Sequence, residues 1–169
     1  MPDLAKGNGS RRALRVALNR LIVAGHDESL ALNEAARTVA GGERRARLLH
    51  QALRRVDFRR DLSATVVELG GAPASASSYR ARLSGLRRAL HRLLAGPHQG
   101  DAYAACARAT EKTTDAYARV LRSTMTADIR GRLEHELTEI DWDGRELRRL
   151  RWGARPSTDP EGVAAINLM

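Results

Sequence analysis

The chain has 169 residues, 43% of them hydrophobic and 29% charged, with a formal net charge of +9. That length favours one domain burying roughly 70% of its unfolded surface, so neither a disulfide framework nor a structural metal is needed, and the composition excludes a disordered chain. Cys106 is the single cysteine, no apolar run approaches the roughly 20 residues that cross a bilayer, and the N-terminus lacks the apolar region of a secretory signal. A cytoplasmic protein without membrane insertion is expected.

Residues 1–9 are polar and glycine-bearing and read as a flexible arm, with Ser10 a candidate N-cap. From there Leu14, Leu18, Leu21, Gly25, Glu28, Leu32, Ala35 and Val39 recur at alternating steps of four and three. That rhythm is a long helix turning one stripe to its partners. Gly41-Gly42 ends it with the backbone freedom of a tight interhelical turn. A second helix is expected from Glu43 to Leu69, with apolar positions at Leu48, Leu49, Ala52, Leu53, Val56, Phe58, Leu62, Val66 and Leu69, and Gly70, Gly71 and Pro73 as its stop. The short turn makes the two antiparallel neighbours. Leu83, Leu86, Leu90, Leu93 and Leu94 then place a shorter crossover helix within 75–95, closed by Gly96-Pro97. A third long helix starts near Asp101 with Tyr103, Cys106, Thr110, Thr113, Tyr117, Val120 and Leu121 on its seam. After a Ser123/Thr124/Thr126 turn a fourth carries Leu133, Leu137, Ile140, Gly144 and Leu147, and its late arginines suit the negative pole of the helix. Trp142 and Trp152 read as core edges, ahead of a partner contact. Residues 153–169 lack periodicity and read as a flexible tail. The pattern is all-α, a bundle over 10–152.

The bases are almost all arginine, with lysine only at Lys6 and Lys112. A basic excess raises nucleic acid as a partner, yet the arginines are spread over every helix, no DNA-binding motif occurs, and aromatic residues for stacking on bases amount to 4%. Arginine in place of lysine, with abundant alanine, fits a GC-rich genome at least as well.

Leu18-Asn19-Arg20-Leu21-Ile22, followed by Asp27, Leu32, Glu34, Ala35 and Ala36, is similar to the opening of a bacterial family of ferritin-like four-helix-bundle proteins, a domain of unknown function. The likeness continues through Arg55, Phe58, Leu62, Val66 and Leu69-Gly70-Gly71, then Glu111, Tyr117, Leu133, Glu136, Leu137, Glu139 and Ile140, covering residues 14 to 152. The resemblance implies a ferritin-like four-helix bundle with an extra crossover helix between the second and third long helices. It contains no catalytic signature. A histidine common in that family's last helix falls at Gly144 here, and an acidic residue before Glu111 falls at Thr110, so two potential ligands are missing.

Ferritin-like di-iron sites take a Glu from each of two helices and Glu-x-x-His from each of the other two, a donor set suited to iron or manganese. No Glu-x-x-His occurs in this sequence: His50 follows Arg47 and His135 follows Arg132 at that spacing. By default a metal would fall to Glu28, Glu34, His50, Glu111 and Glu136. The competing reading is a polar core network without cofactor, in which Arg55 pairs with Asp27 or Glu28 and Glu111 joins. Glu28 lies on the seam, where an unpaired carboxylate is costly, and an arginine beside it repels a metal cation. Cys106 reads as a small buried hydrophobe rather than a nucleophile. The function expected is non-catalytic, a structural or interaction protein forming a homodimer or binding a protein partner, with Leu30 and the crossover leucines as candidate surface. An iron or manganese protein, or weak nucleic-acid binding through arginine-rich faces, are the alternatives.

Overall fold

A computed structural model describes residues 3–75 and 99–153. They form α1 (Asp3–Thr38), α2 (Gly42–Glu68), α3 (Gln99–Val120) and α4 (Ala127–Gly153), with no strand among the described residues. The expected crossover helix and the tail beyond Gly153 lie outside them. None of the described helices is long and apolar enough to cross a membrane.

The first seam is realised in full, since all eight of its positions from Leu14 to Val39 are buried. α1 starts at Asp3, so Ser10 lies inside the helix instead of capping it. The α1–α2 turn runs through Gly41 at φ 94°, a left-handed conformation that glycine adopts without a Cβ penalty. α1 and α2 lie close at Gly25, where a Cβ would make an ordinary contact with the Arg59 side chain at 3.4 Å.

Hydrogen bonds fix the directions. Arg15 donates to the Gly70 carbonyl at 2.5 Å and Arg45 Nε to the Ala36 carbonyl at 3.1 Å, so α1 and α2 are antiparallel. The Cys106 thiol faces the Ala31 carbonyl while Thr110 faces Glu28, which runs α3 antiparallel to α1. α4 returns antiparallel to α3, with Glu136 beside Tyr117 and Gly144 against Thr110. α2 and α3 are therefore parallel across a diagonal, and the end of α2 and the start of α3 lie at opposite ends of the bundle. The backbones of α2 and α4 stay further apart than those of the other neighbouring pairs.

Two apolar layers fill the interior. One is built around Leu18, Leu21, Leu62, Val66, Tyr117, Leu133 and Ile140. The other holds Leu32, Ala35, Leu48, Ala52, Tyr103, Cys106 and Leu147. Cys106 is thus the buried apolar group the seam implied. α2 carries two apolar stripes: α1 takes the one through Leu48, Ala52, Leu62 and Val66, and Leu49, Leu53 and Val56 on the other are exposed. One expectation needs correction. Trp142 is 59% exposed instead of forming a core edge, since its neighbour Asp143 takes the inward position. The Trp152 side chain lies outside those described.

Candidate functional site

Between the two apolar layers lies a polar one, with a residue from each helix: Glu28 from α1, Arg55 from α2, Thr110 from α3 and Asp143 from α4. Each sits on its helix's seam, three or four residues from other buried side chains, so the periodicity that buries the leucines buries these as well. Glu28 and Asp143 are 0% exposed and Arg55 is 1% exposed.

Arg55 links the two acids. Its Nε lies 2.9 Å from Glu28 Oε1, and its Nη2 donates to Asp143 Oδ2 at 3.0 Å. Thr110 Oγ1 donates to the same Glu28 oxygen at 2.8 Å. The Nε contact is a close ion pair whose angle falls short of a hydrogen bond, so Arg55 Nε and Nη1 and Glu28 Oε2 have no hydrogen-bond partner. The guanidinium also lies over the Phe58 ring, 5.8 Å from its centroid. Arg54, at the rim, bonds both Asp143 and Glu139. Two guanidiniums therefore face the two buried carboxylates, and Glu139 extends the chain of charge outward. Burial nevertheless outweighs both arginines at Asp143 and pushes its carboxyl above the usual aspartate value. Further along the α2–α4 seam, Arg47 and Gln51 both bond Glu146, at 2.6 and 3.1 Å.

A third buried acid lies one layer away. Glu136 accepts a 2.6 Å hydrogen bond from the Tyr117 hydroxyl. Burial raises its carboxyl to about 7, the Tyr117 bond pulling the other way. Burial and the nearby carboxylate push the Tyr117 phenol well up, so it stays the donor. The cavity beside Glu136 holds about 10 Å³, too little for a substrate. Cys106 is no nucleophile, because burial pushes its thiol up to about 12.

The structure brings together only part of the expected network. Arg55 pairs with Glu28 and not with Asp27, which lines a groove of about 860 Å³ between α1 and α3. Glu111 is outside the network: its side chain is 60% exposed and its nearest cation is Arg148 at 3.9 Å. The residue before it, Thr110, takes the inward position. Glu34 sits at the surface with Arg37 at 2.9 Å, and His50 is exposed. Asp143 was not foreseen as a network member. Its signal is present in the sequence, because Leu133, Glu136, Ile140, Asp143 and Leu147 continue one rhythm of three and four.

The donor set does not fit iron or manganese. Of the five default ligands only Glu28 and Glu136 are buried, they belong to different layers, and a fixed cation stands against Glu28. Gly144 cannot be replaced by a ligating side chain without displacing Thr110, whose Cγ2 would lie 3.1 Å from a Cβ. Among the described residues no three His, Cys, Asp or Glu side chains gather into a metal-sized cluster. No family model matches the chain, and no curated protein matches it.

Proposed function

We propose that this chain is a ferritin-like bundle whose centre is closed by an arginine–carboxylate network, and that it acts as a non-catalytic structural or interaction protein, associating with itself or with a protein partner. The observation that carries the reading is the position of Arg55. It sits within 3.0 Å of Glu28 and of Asp143, in the mid-bundle layer where a carboxylate-bridged metal of a ferritin-like protein would lie. A permanently charged guanidinium is no acid–base catalyst at neutral pH, and at Glu28 it occupies the place beside the carboxylate that a metal ion would take. The network's worth is then alignment of the four helices more than net stability.

The ferritin-like order of helices is part of the proposal. It is supported by α2 and α3 running parallel and by the way the chain leaves α2. Ala74 N donates to Asn19 Oδ1 at 2.6 Å, which carries the chain across α1 to the edge of the α1–α3 groove. Nucleic-acid binding has less support. Several surface arginines face acids of their own helix, as in Arg47–Glu43, Arg132–Asp128 and Arg60–Asp57, which leaves less free positive charge for phosphates.

Metal analysis of protein purified without a histidine tag, before and after anaerobic loading with Fe(II) and Mn(II), tests the proposal. No ion above background is expected. One or two ions held per chain, and lost in Glu28→Ala, would overturn it in favour of an oxidase-like protein.

A further inference from the structure

Four of the exposed large apolar side chains lie on one face of α2: Leu49, Leu53, Val56 and Val67, from 39% to 63% exposed. With Arg60 and Ser63 they complete steps of four, three, four, three and four, the spacing of a two-helix seam. The other two sides of α2 are occupied, one by α1 through Leu48, Arg55, Leu62 and Val66, the other by α4 through Arg47, Gln51 and Arg54. Among the described residues no helix packs over this stripe, and apolar side chains aligned over about 27 Å of helix are a pattern that single exposed residues do not make.

We propose that this face is a homodimer interface, α2 packing antiparallel on α2 of a second copy. The inference rests on the reading of a self-associating bundle and names the surface and its occupant. Self-complementarity selects a second copy over another partner. A twofold axis opposite Phe58 sets Leu49 against Val67 of the other copy, Leu53 against Ser63, and Val56 against Arg60, with all six positions in antiparallel seam register. Charge agrees with this pairing. Asp57 and Arg60 flank the axis, 3.2 Å apart within one chain and both largely exposed. The antiparallel pairing brings each Arg60 over Val56 of the other copy by its methylene stem and within reach of that copy's Asp57. Two symmetric ion pairs result, whereas a parallel arrangement would bring the two Arg60 side chains together. Leu53 is the most exposed apolar side chain of the stripe.

One helix pair of this length makes a small interface, so association in the micromolar range is expected. Sedimentation equilibrium of the full chain over about 1 to 500 µM spans that range. A monomer–dimer equilibrium is expected, weakened at least about tenfold by Leu53→Glu. Arg60→Asp weakens it as well, and the double variant Asp57→Arg/Arg60→Asp restores it by exchanging the two charges. All of these positions are at the surface, and helical circular dichroism of each variant checks that the bundle is retained. A dimer indifferent to Leu53→Glu and Arg60→Asp would overturn this face while leaving self-association standing. A monomer at every concentration would overturn the interface and, with it, self-association.

Discussion

Replacing Arg55 with methionine keeps a long apolar stem and removes the charge. Glu28 then loses the one counter-ion it has among the described residues and keeps the Thr110 hydroxyl, while Asp143 keeps Arg54 at the rim. Removing one member of a buried ion pair costs about 3–5 kcal/mol, because the remaining charge stays in a dry interior. A domain of this kind has a total stability of about 5–15 kcal/mol, so the variant should be severely weakened yet still measurable. At a urea slope of about 2 kcal/mol per molar, the unfolding midpoint seen by circular dichroism should fall by about 1.5–2.5 M. Adding Glu28→Leu removes the stranded carboxylate, and the double variant should recover part of that loss. The recovery separates an ionic network from simple packing, since cutting two packed side chains costs more than cutting one. A midpoint change below about 0.5 M for Arg55→Met, or a double variant no better than the single, would refute the reasoning.

Three other measurements follow from the same geometry. Because burial raises Glu136 from 4.5 in the unfolded chain to about 7 in the fold, its contribution is fully present below pH 4.5 and lost as pH rises through 7; stability should fall on the order of 2–3 kcal/mol between pH 5 and 8, and Glu136→Gln should remove that fall, as urea midpoints at the two pH values will show. Gly131, where a Cβ meets nothing within 4 Å, should accept alanine with a gain of about 0.5–1 kcal/mol, whereas Gly144→Ala should be destabilising until Thr110→Ser removes the methyl group 3.1 Å from the new Cβ; thermal midpoints of the three variants decide it. The buried Cys106 thiol, raised to about 12, should resist an aromatic disulfide reagent in native buffer and react at once in denaturant, and prompt native labelling would contradict its placement.

The helices were legible because a core residue must return every three or four positions, and α1 and α3 each have only one stripe able to do so. All of the expected α3 seam from Tyr103 to Val120 is buried. α2 was ambiguous for a physical reason. It has two apolar stripes, and periodicity alone does not say which one meets α1. Asp143 is harder to read, because an acid at a core position looks like any surface acid of α4, though the steps from Leu133 to Leu147 run straight through it. Glu111 was misplaced by one residue, and one residue is 100° of helix. Side-chain length decided between Asp27 and Glu28 only in part, since it is the inward angle of Glu28, shared with Leu21 and Leu32, that brings it to Arg55.

The contact between α2 and α4 differs from the others in kind. Along the other helix pairs, small side chains and glycines bring backbones close, so separation by even a fraction of an ångström loses dispersion at once. Between α2 and α4, long arginine and glutamate arms span a wider gap, and such arms can straighten or tilt while their charges remain in touch. The bundle accordingly has one compliant side and three stiff ones. Breathing motions of the folded state will concentrate along that side, and added salt, which loosens its partly exposed pairs first, will widen them there before it disturbs the rest of the interior.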